Sequence, residues 1–365
     1  MTRLLATASA FALLASAAQA ETVLHILHTN DVHSRIEPIN ASDSTCSPEQ
    51  IEAQECFGGM ARLATKVAEM RAEIEAAGEH VILLDAGDQY QGSLFYTTYK
   101  GEEVVEFMNL LGYDAMAVGN HEFDDGPEGL AVLLDGVDFP VISSNIDVSQ
   151  SNVLADRVQK HAILELGETR VGIVSALAMD TPETASPGPN VIFQDDADSL
   201  AAAVAELEAE GVDKIIALTH VGYLRDQDFA AEVAGLDAVV GGHSHTLLGD
   251  MEDAQGAYPT MVEGPDGREV PVVQAYGYAK YLGHLKLTFD DEGNVTAAKG
   301  QPILLDASVA EDETVAARVA EMAQPIEELR AEVIGQANGP IDGSRETCRA
   351  QECEMGNLVA DAMLD

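Results

Sequence analysis

From residue 22 onward, apolar runs of strand length alternate with stretches whose apolar positions recur at helical spacing. "TVLHILHTND", "HVILLDAGD", "DAMAVGNHE", "FPVISSNI", "RVGIVSAL", "VDKIIALTH" and "LDAVVGGHSH" each hold a short, nearly continuous apolar run. Such runs predict strands. Between them, "GGMARLATKVAEMRAEIEAAG", closed by Gly78, "GEEVVEFMNLLGY" and "DADSLAAAVAELEAEG" predict amphipathic helices. The alternation implies an α/β core. After about residue 256 the text is rich in strands and turns, as in "PVVQAYGYAKYLGHLKLTFDDEGNV", and suggests a mostly antiparallel sheet packed with that core. "SVAEDETVAARVAEMAQPIEELRAEVIG" predicts a long connecting helix, interrupted or kinked near Pro325. The text that follows opens a further domain and stops in mid-pattern, so the final domain reads as truncated.

The first twenty residues follow a different rule. "MTRLLATASAFALLASAAQA" has one basic residue, an apolar run and a small-residue ending, which is the layout of a secretory signal peptide cleaved after Ala20. The run is short for a membrane span. A periplasmic or secreted protein is therefore expected. Four cysteines suit an oxidising compartment. Three pairings are formally possible, and the local ones, Cys46–Cys56 and Cys348–Cys353, are the most economical.

Composition narrows the partners. With 63 acidic and 19 basic residues, the formal charge is −44. A nucleic-acid polymer needs a basic footprint, so that class is disfavoured. An anionic small substrate would need a locally positive pocket.

Five apolar runs end in residues that bind metals: "ILHTNDVH", "ILLDAGD", "MAVGNHEFD", "IIALTH" and "VVGGHSH". In an α/β sheet, ligands gather at the carboxyl ends of strands. Asp31 and His33 are one residue apart, as are His243 and His245, so in extended backbone each pair points one way. Taken singly, each of these is as well explained by a cap or a solvated loop. Of ten histidines, however, His33, His121, His220, His243 and His245 all sit at these tips, and chance does not explain that concentration. Imidazole mixed with carboxylate suits Zn, Mn, Fe or Co, and the ligands suffice for about two ions.

The ordered set "NDVH", "GDQYQG", "GNHEFD", "TH" and "GGHSH" resembles the calcineurin-type metallophosphoesterases. More narrowly it is similar to the 5'-nucleotidase family, together with "LHTNDVHSR", "GGMARL" and "CRAQECEMGNLVADAML", over nearly all of 23–365. The resemblance implies a four-layer α-β-β-α sandwich over 21–310, a linker helix at 311–333, and the start of an α+β substrate-binding domain at 334–365. It implies two divalent ions, one held by Asp31, His33 and His245, the other by Asn120, His220 and His243, with Asp88 bridging. His121, oriented by Asp124, would be the catalytic histidine. Asn120, His121 and Arg349 would meet a nucleotide substrate. An amide is frequent in this family where the chain has His245, which bears on metal preference. The implied chemistry is in-line attack on phosphorus by a metal-bound water. UDP-sugar diphosphatase, 2',3'-cyclic phosphodiesterase with 3'-nucleotidase activity, and thiosulfohydrolase share the metal unit and stand as alternatives. A non-catalytic metal-binding protein is disfavoured by the presence of Asp88 and His121.

Overall fold

A computed structural model describes residues 21–364, so the expected signal peptide lies outside the described residues. Along the chain the strands are β1 Thr22–Thr29, β2 His80–Asp85, β3 Ala115–Ala117, β4 Val141–Ile142, β5 Ile146–Asp147, β6 His161–Leu166 and β7 Thr169–Val174. Then come β8 Ile192–Phe193, β9 Ile215–Thr219, β10 Ala238–Gly241, β11 Thr260–Glu263, β12 Glu269–Val273, β13 Tyr281–Phe289 and β14 Val295–Leu304. Two six-stranded sheets result, in the orders β14-β13-β1-β2-β3-β4 and β11-β12-β10-β9-β7-β6, with β5 and β8 forming a small separate pair.

Each large sheet holds four adjacent parallel strands, β1 to β4 in the first and β12, β10, β9 and β7 in the second. In the first, β4 is one edge and the antiparallel strands β13 and β14 lie beyond β1; in the second, antiparallel β11 and β6 finish the two edges. The late strands therefore do not make a third, antiparallel sheet. β13 and β14 extend the first sheet beyond β1, and β11 and β12 extend the second beyond β10. Local pattern marks a strand but not its partner, which is why the sequence assigned these strands to the wrong place.

The alternating face of each central strand is turned inward. Leu24, Ile26, Ile82, Leu84, Ala115 and Ala117 of the first sheet meet Val171, Ile173, Ile216, Leu218, Ala238 and Val240 of the second in one buried cluster. On the outer face of the second sheet, Val174, Ile215, Ala217 and Val239 pack with Leu200, Val204 and Leu207 of the helix Asp196–Ala209 and Phe229 of the helix Tyr223–Glu232. On the first sheet, the helix Met60–Ala76 packs against β2. The layers are thus α-β-β-α. Burial of each large aliphatic side chain in these seams contributes about 1.5–3 kcal/mol.

The chain divides into two compact units, one through Met322 and one from Ala323. The helix Glu313–Ala331 contains Pro325. The second unit holds the helices Arg345–Ala350 and Glu354–Leu364 and the disulfide Cys348–Cys353, while Cys46–Cys56 closes a loop of the first. No helix among the described residues is long and apolar enough to cross a membrane.

Candidate metal centre

Five central strands deliver the centre. Asp31 follows β1 by two residues, Asp88 follows β2, Asn120 follows β3, His220 follows β9 directly, and His243 and His245 follow β10. Because the strands are parallel within each sheet, their carboxyl ends lie at one edge, and the sandwich brings the two edges together.

Three groups of donor atoms converge within 4.8 Å: Asp31, His33 and His245; His33, Asp88 and His121; and Asp88, His220 and His243. Asp88 is shared by two of them. Its Oδ2 lies 3.1 Å from His220 Nε2, 3.9 Å from His33 Nε2 and 4.0 Å from His121 Nε2. Asn120 Oδ1 lies 3.2 Å from His220 Nε2 and 3.0 Å from His243 Nδ1. All seven sequence-predicted ligands, together with His121, are thus brought into one cluster. Arg349 belongs to the second unit, on the exposed helix Arg345–Ala350 beside Cys348.

The donor set fits cations. His33 Nδ1 donates to the Tyr90 carbonyl at 3.1 Å, and His220 Nδ1 donates to the Ala86 carbonyl at 2.6 Å. Each bond fixes the tautomer and leaves Nε2 as a lone pair. His33 Nε2 then faces His245 Nε2 at 3.0 Å, and His220 Nε2 faces the oxygens of Asp88 and Asn120. At His220 an acceptor nitrogen confronts acceptor oxygens, and a proton or a metal ion must sit between them, while His245 Nε2 also lies 3.2 Å from Asp31 Oδ1. The same conflict appears in the proton affinities. Burial raises the Asp88 carboxyl, but His220, His33 and His121 outweigh it and hold it well below the ordinary range. Burial opposes charge on His220, yet Asp88 lifts it to about 10. His33 and His243 are lowered, chiefly by burial.

His121 stands apart. Its Nδ1 is 2.7 Å from Asp124 Oδ2, and that hydrogen bond, opposed by burial, pushes it up to about 9. Its backbone N–H donates to Asp88 Oδ1 at 2.9 Å.

Several residues that hold the centre went unnoticed in the sequence. The Glu122 carboxylate, fully buried, accepts from the backbone N–H groups of Asp88, Gln89, Tyr90 and Gly119. Burial and the charge of Asp88 push it up to about 7. Asn30 Nδ2 donates to Asp31 Oδ2 at 2.6 Å and to the Tyr276 carbonyl at 2.5 Å. Gln274 accepts from Thr246 N–H and donates to the Gly242 carbonyl at 2.9 Å, pinning "GGHSHT" from below. Gly241 in that loop lies against the Asp226 carboxylate, which any Cβ would overlap. Only their adjacency to predicted ligands hinted at Asn30 and Glu122; Gln274 gave no local signal.

The geometry has close counterparts. The profile of the calcineurin-like phosphoesterases matches residues 24–247. The chain belongs to the calcineurin-like phosphoesterase family. It is 46% identical over 350 residues to the 5'-nucleotidase of Bos taurus, covering 94% of the chain and 60% of that protein. It is 44% identical to the snake venom 5'-nucleotidase of Gloydius brevicauda, covering 93% of the chain and 58% of the relative. The 5'-nucleotidase precursor of Thermus thermophilus superimposes with a TM-score of 0.81 at 38% identity, over 94% of this chain and 66% of that one. The chain therefore spans about three-fifths of the length of these curated relatives.

Proposed function

We propose that the protein is an exported, metal-dependent phosphohydrolase that removes the phosphate of nucleotides, as a 5'-nucleotidase. The observation that carries this reading is the pair of ligand groups sharing Asp88, with the His121–Asp124 pair beside them. The nucleotide preference is supported by the names and identities of the relatives, and export by the leader-like first twenty residues and a venom relative.

Asp31, His33 and His245 would hold one divalent ion, and Asn120, His220 and His243 the other, with Asp88 between them. Bound there, two such ions would polarise a phosphoryl oxygen, acidify a water and offset the charge that develops on phosphorus. The remaining work falls to the chain. Glu122 and Gln274 fix the loops that carry the ligands, so that little rearrangement accompanies reaction. Asp124 accepts from His121 Nδ1–H and aims the opposite edge of the ring into the centre. A proton on His121 Nε2, favoured by Asp124, is placed to stabilise or reach the leaving oxygen. Ions at Asp31 and Asp88 would also supply the local positive charge that an acidic protein otherwise lacks.

The test is direct. Exhaustive chelation is expected to abolish hydrolysis of AMP, and Mn or Zn to restore it. Hydrolysis that survives full metal removal would overturn the proposal. A substrate panel including UDP-sugars and 2',3'-cyclic nucleotides separates the related activities.

A further inference from the structure

Two strand tips deliver three of the candidate ligands, and one side chain lies against both. Thr219, the last residue of β9, and Gly241, the last of β10, are partners in the parallel register, and His220 and His243 leave the sheet just beyond them. Asp226, in the first turn of the helix Tyr223–Glu232, is fully buried against this last rung. Thr219 Oγ1 donates to Asp226 Oδ1 at 2.6 Å. Asp226 Oδ2 is buried with no hydrogen-bond partner, and it abuts Gly241, where an added Cβ would overlap Oδ2 and lie 2.7 Å from Cγ. The helix that carries the carboxyl is itself fixed. Arg225 donates to the two oxygens of Asp196 at 2.7 and 3.1 Å, and Phe229 is buried in the core.

A buried acid with an unpaired oxygen is costly, and a leucine would fill the same space without that cost. What the carboxyl supplies and a hydrocarbon does not is a bond to one strand tip together with close contact to the other. The two imidazoles beyond those tips must meet at one point. Their ring centroids are 5.0 Å apart, and His220 Nε2 and His243 Nδ1 face the same Asn120 Oδ1 at 3.2 and 3.0 Å. A slip of β9 against β10 would draw one of them away. The other candidate ligand group has other supports. Asp31 and His33 follow β1 in the opposite sheet, and His245 sits on the loop that Gln274 holds through Thr246 N–H and the Gly242 carbonyl.

We propose that Asp226 is a positioning residue for the ion shared by Asn120, His220 and His243: its carboxyl holds the ends of β9 and β10 together and so sets how the two imidazoles meet. The inference rests on the reading that these residues hold a divalent ion, and it singles out one ion of the two.

The test compares the wild-type chain with D226N, D226L and T219V. Zn and Co are titrated into metal-free protein in competition with a chelating dye, the Co absorption bands are recorded, and the melting temperature of the metal-free protein is measured. H243G and H245G identify which binding constant belongs to which ion. In D226L the constant of the ion at His220 and His243 is expected to fall about 10- to 100-fold, as when a group orienting a metal ligand is lost, while the other keeps its value. T219V, which removes the donor of the same hydrogen bond, moves that constant in the same direction. D226N largely keeps it. Burial, opposed by the Thr219 bond, pushes the Asp226 carboxyl up to about 8, so at neutral pH it is an uncharged acceptor that Asn reproduces. The Co bands of the affected ion change in D226L and revert in D226N. Equal weakening of both ions, weakening of neither, or D226N as damaging as D226L overturns the proposal. So does a lower melting temperature with the ratio of the two constants unchanged, which is all that a merely structural role would give. Should D226L fail to fold, T219V decides, an unchanged ratio overturning the proposal. A wild type that holds fewer than two ions overturns it outright. None of these readouts needs turnover, so a wild type that binds both ions and leaves AMP intact would sink the nucleotidase reading while this one stands or falls by itself.

Discussion

Five candidate ligands share a backbone property that the sequence does not display. Asp31, His33, Asp88, His243 and His245 have φ of 51°, 52°, 59°, 75° and 49°. Left-handed backbone at a residue with a Cβ costs roughly 1–2 kcal/mol, and such residues cluster at functional sites. The Asp-x-His and His-x-His spacings were legible as same-side pairs of an extended strand. The pairs do converge, but on left-handed turns beyond the strand ends. The residue types were thus readable, and the backbone that aims them was not, because it is imposed by tertiary bonds such as His243 N–H to Asp31 Oδ2 at 2.9 Å. His245 is the most instructive of the five, being partly exposed. His245→Gly should release its strain, so the metal-free protein should melt no lower than wild type, or a few degrees higher, in a thermal scan with chelator. The same variant should weaken one ion far more than the other in a metal titration. Equal weakening of both ions, or of neither, would show that the ligand sets are divided wrongly.

At the scale of an element, the loop after β2 hangs on one side chain. Glu122 collects four backbone donors, and its replacement by Gln exchanges an acceptor oxygen for an N–H₂ that can only donate. Groups that orient metal ligands typically matter 10- to 100-fold in affinity. Glu122→Gln should therefore lower metal affinity by about that factor while leaving Asp88 in place, as read by competition with a chelating dye. A second element, β1, carries a pH response unconnected with the centre. His28 is fully buried, bonded to Tyr258 Oη at 2.8 Å, and burial, aided by the charge of His284, pushes it down to about 3. The unfolded chain takes up that proton near pH 6.5, whereas the folded one does so only near 3. Stability is lost as pH falls across that window, and between pH 7 and 5 this residue alone should cost about 2 kcal/mol. His28→Gln should remove that share of the pH dependence in urea unfolding at the two pH values. An identical slope in the variant would refute it. Strands such as β1 were readable from the sequence because burial on both faces writes a continuous apolar run. The place of β11 to β14 was not, because an edge strand's partner is chosen by the whole sheet.

For the whole molecule, charge is the dominant fact. At −44 the protein repels an anionic nucleotide over the range that salt does not screen, about 30 Å at 0.01 M and 8 Å at 0.15 M. Capture should improve as salt rises through that interval, so kcat/KM measured at fixed metal occupancy should climb before it levels. A steady fall would mean that the local field of the centre already governs the approach.

Topology adds a consequence in time. β1 lies in the middle of its sheet, between β2 and β13, whose pairing runs from Thr22↔Phe289 to His28↔Gly283. Its partner on one side is made some 250 residues later. At roughly 5–20 residues per second, a ribosome leaves that apolar edge waiting for about 15–50 seconds. The nascent chain therefore carries an open hydrophobic edge at residues 22–29 until β13 has been made, and a holding chaperone that recognises extended apolar segments has a target there for that interval.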